Sequence, residues 1–293
     1  MAEIQLMGPR SSGKTTYLAS LLALSKKPQP ALSGITIQAG GEKIDELEKL
    51  IKNFIHDYKK TPPTDRGEEY AYSFELKFPV QKTRLSLKRK NLLGRNLTVL
   101  FKDTSGERIN ELFESMNPRR QFETTDLDKF DPQEIQDFLE NCFRVSRWMI
   151  MLTEWQPEQD ADFYLPIFKR FCDEIDARKS LPAVKTLRVA MVMAKCERGE
   201  IWPSRLDPKE DLFKVRLPKT YQLLTQRLPT PKLRFFACSA FGVLGERDPR
   251  PNRYYDEEEG TSAEYRAILR DFTSWKPYGV IEPLYWLSTG QTL

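Results

Sequence analysis

The stretch Gly8-Pro9-Arg10-Ser11-Ser12-Gly13-Lys14-Thr15 follows the apolar run Ile4 to Met7 and precedes a second apolar run, Tyr17 to Leu24. It matches the pattern GxxxxGK[ST] of the P-loop, in the strand–loop–helix context that the pattern requires. A phosphate chain needs several converging backbone N–H groups, and glycine at both ends lets a loop curl tightly enough to provide them. The helix that begins near Lys14 directs its own N–H groups at the same anion. The stretch therefore predicts a nucleoside triphosphate site.

The polar side chains of this loop each have an expected role. Lys14 is expected to reach the β- and γ-phosphates as a catalytic cation, and the Thr15 hydroxyl to bind Mg²⁺. The residues expected to contact the nucleotide here are Gly8, Ser11, Ser12, Gly13, Lys14, Thr15 and Thr16.

A second motif, Asp103-Thr104-Ser105-Gly106, follows the apolar run Leu97 to Phe101. In P-loop proteins an aspartate at the carboxyl end of a strand holds Mg²⁺, and the following glycine places its N–H near the γ-phosphate. We therefore expect Asp103 to belong to the metal site and Gly106 to the nucleotide site. The two motifs together are more specific than either alone.

The order of apolar segments predicts an α/β protein with the three-layer P-loop NTPase fold. Strands that are apolar throughout alternate with amphipathic helices, which is typical of a mainly parallel sheet covered on both faces. We expect one domain over 1–293, with an insertion or switch region at 108–141 and a C-terminal loop and helical extension at 246–293. Within that extension, 263–275 and 280–287 are expected to form a helix packed on the sheet.

Composition limits the possible compartments and partners. The chain has 46 basic and 42 acidic residues, a net charge of +4, which does not indicate nucleic acid. Its four cysteines form no CxxC pair, and no apolar run approaches about 20 residues, so we expect a cytoplasmic protein without a membrane span. The basic stretch 82–95 is interpreted as a solvated edge strand or, alternatively, as a surface for an acidic partner or nucleic acid.

The polar segment that follows Gly106 is the candidate for a nucleotide-dependent switch. Residues 104–130 lack clear periodicity, and a loop in this position can be ordered by the γ-phosphate and released on hydrolysis. A nucleotide-dependent change is also expected in the connecting loop 61–67. A surface insertion without a switching role is the alternative interpretation.

Four motifs in order, GPRSSGKT, DTSGE, AKCE and CSA, resemble the guanine-nucleotide motifs of the translation-factor and Ras-like class of P-loop GTPases. The sequences PPTDRGEEYAYSF and GVIEPLYWL are similar to bacterial double-GTPase-like proteins of conflict and signalling systems. The first resemblance implies that Lys195 stacks on guanine, that Glu197 pairs with its N1 and N2 edge, and that Ser239-Ala240 presents backbone N–H groups to the base oxygen. It also implies a threonine that completes the Mg²⁺ site, for which Thr64 is the candidate and Thr61 the substitute.

The chain departs from this class at four points. Ala194 replaces the expected Asn or Thr, and Glu197 is one methylene longer than the expected Asp. Arg10 takes a position that is often glycine. Three interpretations are open: it blocks an activating arginine, it stabilises charge on the γ-phosphate, or it faces solvent or forms an ion pair. Glu107 stands where Ras-like proteins carry the glutamine that orients water, which makes Glu107 and Arg10 candidate catalytic residues alongside Lys14. Alternatively, Glu107 is only a switch residue and hydrolysis is slow or absent.

The sequence as a whole favours a Mg²⁺-dependent GTPase that hydrolyses GTP to GDP and phosphate and regulates a partner protein. The alternatives are a nucleotide-binding assembly scaffold with little hydrolysis and an ATPase, the latter because of Ala194. A P-loop kinase is a further rival, which the DTSG, AKCE and CSA elements disfavour.

Overall fold

The computed structural model describes residues 2–9, 11–26, 35–40, 45, 48, 70–78, 96–103, 132–153, 159–255 and 267–293. The expectations for 61–67, 82–95 and 104–130 lie outside these residues. The apolar spacing over 42–60 also predicts a helix, which lies outside them except at Asp45 and Glu48.

A seven-stranded sheet forms the middle layer, in the order β2-β3-β4-β1-β5-β6-β7. Its strands are β1 (Ala2–Met7), β2 (Thr36–Gly40), β3 (Tyr70–Lys77), β4 (Asn96–Asp103), β5 (Arg147–Leu152), β6 (Arg188–Met193) and β7 (Leu233–Ala237). The pairs from β4 through β1, β5 and β6 to β7 are parallel, whereas β3 is antiparallel to both β2 and β4. The expected α/β fold with a mainly parallel sheet is confirmed.

The helices lie on both faces of this sheet. They are α1 (Lys14–Lys26), α2 (Pro132–Arg144), α3 (Leu165–Ala177), α4 (Pro182–Lys185), α5 (Lys214–Arg216), α6 (Pro218–Arg227) and α7 (Glu282–Thr289). Short π- and 3-10-helical turns at Asp160–Tyr164, Trp202–Leu206 and Pro208–Phe213 complete the connections, and a separate two-stranded sheet pairs β8 (Arg253–Tyr255) with β9 (Ala267–Leu269).

Two apolar cores explain why the central strands are apolar throughout. On β5, Met149 and Met151 face the core formed with α1 and α7, whereas Trp148 and Ile150 face the core formed with α2, α3 and α6. Alternate side chains point to opposite faces of a strand, so a sheet that is covered on both faces requires an apolar residue at nearly every position.

The structure corrects one element and refines another. The helix expected over 263–275 is wrong at its centre, because Ala267–Leu269 is a strand paired with Arg253–Tyr255. The carboxylate of Asp271 accepts hydrogen bonds from the backbone N–H groups of Thr273 and Ser274, which offers the backbone a turn in place of a helix. The helix expected over 280–287 is present as α7, and α2 includes 132–141, the end of the expected insertion 108–141.

Candidate nucleotide-binding site

The P-loop connects β1 to α1 with the backbone that the motif predicts. Gly8 has a φ of +156° and Gly13 a φ of +93°. A Cβ atom on Gly8 would lie 2.3 Å from the backbone oxygen of Met151, so only glycine lets β1 pass this close to β5. Ser11 also has a positive φ, +62°, and its side chain is exposed.

Lys14 and Ser12 are prepared for an anion inside this loop. The buried Nζ of Lys14 donates hydrogen bonds to the carbonyl oxygens of Gly8 at 2.8 Å and Pro9 at 3.5 Å. The backbone N–H of Ser12 donates to the Pro9 oxygen at 3.2 Å. The buried Oγ of Ser12 has no hydrogen-bond partner among the residues that the structure describes. A phosphate oxygen would satisfy that hydroxyl, so the loop fits the group that the motif predicts.

The remaining phosphate-side residues lie at the start of α1 and at the end of β4. Thr15 and Thr16, both half-buried, belong to the first turn of α1, where backbone N–H groups have no partner within the helix. The backbone of Asp103 pairs in register with Leu6, immediately before the P-loop. Thr15 and Asp103 are thus brought to the same edge of the sheet, whereas Arg10, Thr64, Gly106 and Glu107 lie outside the described residues.

The described residues hold no group of three or more His, Cys, Asp or Glu side chains that could bind a metal ion on its own. Mg²⁺ commonly takes one or two protein ligands and completes its shell with water and phosphate oxygens. The hydroxyl and carboxylate oxygen that Thr15 and Asp103 carry therefore suit Mg²⁺ in the presence of a nucleotide.

Two more loops reach the P-loop from the carboxyl ends of β6 and β7. Lys195, just after β6, has a φ of +59°, and its Cε lies 4.0 Å from the point where a Cβ on Gly13 would be. Lys195, Glu197 and Ala240 line, together with Gly13 and Thr16, a cavity of about 30 Å³. The structure thus brings together the residues that the sequence assigns to the phosphates and to the base.

Glu197 is fully buried at the bottom of this cavity, and both of its carboxylate oxygens are engaged. Oε2 accepts a hydrogen bond from the Ser239 hydroxyl at 2.7 Å, and Oε1 accepts one from Arg253 Nε at 2.5 Å. The Ser239 Oγ in turn accepts a hydrogen bond from the backbone N–H of Gly242 at 2.8 Å.

The Ser239-Ala240 loop is held by the C-terminal part of the chain. The backbone N–H of Ser239 donates to the carbonyl oxygen of Tyr278 at 2.8 Å, so it is already used. The indole Nε1 of Trp275 donates to the Ala240 oxygen at 2.8 Å. Of the two N–H groups predicted to face the base oxygen, the one of Ala240 is the better candidate.

Arg253, Trp275 and Tyr278 were missed by sequence reasoning. No motif marks them, because Arg253 lies in a polar stretch that is typical of a solvated loop and the aromatic residues match an ordinary core. Only the folded arrangement brings them to the loops after β6 and β7.

The surroundings of Lys195 lower the pKa of its ammonium group. Burial is the main cause, the guanidinium groups of Arg198 and Arg253 add to it, and Glu197 opposes it, so that the pKa of Lys195 is lowered to about 8. At pH 7 the ammonium form still predominates, and it can face the oxygen atoms of a nucleotide.

This depressed pKa predicts a pH dependence of stability. Between pH 8 and the ordinary lysine pKa near 10.5, the unfolded chain retains a proton that the folded chain has lost. The free energy of unfolding of the wild type, minus that of Lys195→Met, is therefore expected to be lowest below pH 8 and to rise above it. Urea titrations at several pH values would measure this difference. The exposed Lys179→Met is the control, and a flat Lys195 difference would contradict the prediction.

No protein-family model matches this chain, and no curated protein matches it. Among solved structures, it is similar to the GTPase-like domain of S. cerevisiae Ski7 bound to GDP and inorganic phosphate, with 13% identity over 89% of this chain and 47% of that chain and a TM-score of 0.43. A second is Sup35 complexed with GDP, with 9% identity over 82% of this chain and 37% of that chain and a TM-score of 0.33. A third is the signal recognition particle receptor SRb-GTP/SRX complex from Chaetomium thermophilum, with 13% identity over 84% of this chain and 93% of that chain and a TM-score of 0.36.

The chain spans less than half the length of the Ski7 and Sup35 chains. At such identities and TM-scores these likenesses have no bearing on the chemistry of the site, which follows from its own residues. Within the described parts of the chain, every helix is too short or too polar to cross a membrane.

Proposed function

We propose that this chain binds GTP with Mg²⁺ at the P-loop and hydrolyses it to GDP and phosphate, as a nucleotide-controlled switch that regulates a partner protein. The observation that supports this best is the meeting of three loops. The P-loop carries the phosphate-binding groups, and the loops after β6 and β7 bring Lys195, Glu197 and Ala240 to it. A site with donors for phosphates on one side and a carboxylate with an N–H group on the other suits a guanine nucleotide.

On the phosphate side, the chain supplies positioning and positive charge. Lys14 would exchange the Gly8 and Pro9 oxygens for phosphate oxygens, and Ser12 Oγ would gain a partner. Mg²⁺, held by Thr15 and Asp103, would neutralise the phosphate charge that develops during hydrolysis. We assign the orientation of the attacking water to Glu107 and stabilisation of the γ-phosphate to Arg10, by resemblance alone.

On the base side, the order of donors and acceptors matches guanine. The Glu197 carboxylate would accept hydrogen bonds from N1–H and the N2 amino group, and the Ala240 N–H would donate to O6. Adenine has an acceptor at N1, which would face the carboxylate unfavourably. A site built on such paired hydrogen bonds rejects the wrong base strongly, because its buried polar groups are left unpaired.

One observation favours an ATPase as the second candidate. Glu197 is already bound to Arg253, so its preference for guanine is opposed by a partner within the chain. The relative affinity for GTP and ATP therefore decides between the two functions.

Calorimetric titration of the purified protein with GTP, GDP and ATP, each with Mg²⁺ and with EDTA, tests the proposal. We expect guanine nucleotides to bind more tightly than ATP, and Mg²⁺ to strengthen GTP binding in the wild type but not in Thr15→Ala. Tighter binding of ATP would overturn the base assignment. Release of phosphate in a single turnover separates an enzyme from an assembly scaffold that binds GTP without hydrolysis.

The regulated partner and a role in a bacterial defence or signalling system belong to the same proposal. They are supported only by the resemblance of PPTDRGEEYAYSF and GVIEPLYWL to proteins of such systems. A partner that binds the GTP-loaded form and not the GDP-loaded form would support the switch.

A further inference from the structure

We propose that Arg253 is an internal substitute for guanine: its guanidinium group occupies the acceptor that the base would use, so guanine must displace it in order to bind. This inference rests on the proposed function and names a regulation of that same site. It is carried by the chemistry of the side chain, the burial of the pair and the size of the cavity.

The chemistry of the two groups is alike. A guanidinium carries an N–H beside an NH₂ on one carbon, and guanine carries N1–H beside the N2 amino group on one carbon. Both present parallel donors that suit a carboxylate. Arg253 Nε already donates to Glu197 Oε1 at 2.5 Å, and Ser239 takes the other oxygen.

The burial of the pair shows that the carboxylate is covered. The side chain of Glu197 is 1% exposed and that of Arg253 is 6% exposed. The adjoining cavity of about 30 Å³ has room for a water molecule or two and not for a purine. The base therefore cannot reach the edge of Glu197 while the neighbouring groups keep these positions.

The backbone holds Arg253 beside Glu197. The preceding residue, Asn252, is fully buried, and its backbone N–H donates to the Gly242 oxygen at 3.0 Å. The Asn252 side chain also bonds both the N–H and the carbonyl oxygen of Asp271. The start of β8 is thus anchored, so Arg253 leaves Glu197 by movement of its side chain and not of its backbone.

The exchange is energetically feasible. The attraction within a buried ion pair is largely offset by the cost of removing both charges from water. On displacement, the guanidinium regains water while the carboxylate gains the two donors of guanine. Adenine offers no such pair of donors, so it gains nothing in return for displacing Arg253. Displacement of Arg253 is therefore compensated for guanine and not for adenine.

Arg253→Met tests the inference, because methionine keeps an apolar stem and removes every donor. If Arg253 holds the closed form at roughly 90 to 99% of the population, its loss tightens GDP binding by about 10- to 100-fold. The affinity for ATP is expected to change far less. The matched control is Arg250→Met, because Arg250 is exposed in the same connection and pairs with Asp248; there we expect no change for either nucleotide.

Chemical rescue provides a readout that a purely structural role of Arg253 would not give. Methylguanidinium added to Arg253→Met is expected to compete with GDP and to leave ATP binding unchanged. Unchanged or weaker GDP binding by the variant would overturn the inference, since Arg253 would then be neutral or would support Glu197 as a positioning residue. If Arg253→Met does not fold, as judged by circular dichroism, Arg253→Lys and Arg253→Gln carry the same test, with smaller gains expected.

The two proposals fail in different ways. If the wild type binds GDP and Arg253→Met binds it equally well, the internal substitute is wrong and the proposed function stands. If neither protein binds any guanine nucleotide while both are folded, the proposed function is wrong as well. Binding of GDP by the variant and not by the wild type supports both.

Discussion

Replacement of Lys14 by Ala is expected to weaken GTP binding by about 100-fold, the largest loss of affinity that we anticipate for a single residue. A hydrogen bond from a charged donor contributes about 1.5–3 kcal/mol, and the buried Lys14 Nζ already donates to the Gly8 and Pro9 oxygens of the P-loop. The loss should be similar for GTP and ATP, because Lys14 is proposed to contact phosphates and not the base. Calorimetric titration with each nucleotide measures it.

Two controls isolate the role of this ammonium group. Lys179→Ala removes an exposed lysine beyond the end of α3 and should leave both affinities unchanged. Thermal unfolding of Lys14→Ala shows whether the loop still forms, because the Gly8 oxygen loses its donor in this variant. Full affinity of a folded Lys14→Ala protein would disprove the nucleotide site.

The largest loss of stability is expected for Gly8→Ala. The added Cβ would lie 2.3 Å from the Met151 oxygen and 2.6 Å from Ser12 Oγ, and the first of these atoms belongs to the backbone of a central strand. Either β1 or β5 has to shift, which we expect to lower the free energy of unfolding by about 3 kcal/mol or more. Urea unfolding followed by circular dichroism measures the change.

Gly199→Ala is the matched control for this prediction. A Cβ at Gly199 meets no atom within 4 Å, and its φ is not in the left-handed region. We expect a change of less than about 0.5 kcal/mol there. A Gly8→Ala protein as stable as Gly199→Ala would show that the approach of β1 to β5 is not a constraint on the P-loop.

Local patterns in the sequence predict the backbone of the P-loop well. The P-loop lies within one continuous stretch, and its glycine spacing directly reflects the backbone angles found at Gly8 and Gly13. The parallel strands were also predictable, since side chains on both faces of β5 and β6 must be apolar.

The base side could be predicted only in part. Lys195, Glu197 and Ser239 follow strands, so their common edge follows from the parallel sheet. The pairing of Glu197 with Arg253 joins residues 56 positions apart through a two-stranded sheet that no pattern indicates. The failure over 263–275 has the same origin, because the short strand β9 depends on its partner β8 and not on its own periodicity.

Residues near the C-terminus connect α1, which follows the P-loop, to the loop of Ser239 and Ala240. The hydroxyl of Tyr17, on α1, donates to the Val280 oxygen at 2.6 Å, and Tyr278 and Trp275 hold the loop of Ser239 and Ala240. By thermodynamic linkage, such a connection is reciprocal. If ordering of the loop strengthens the binding of a ligand, then the bound ligand stabilises the ordered loop by the same free energy. Binding of a ligand should therefore slow the local unfolding of the segment just before α7. This segment then responds to the ligand without contacting it.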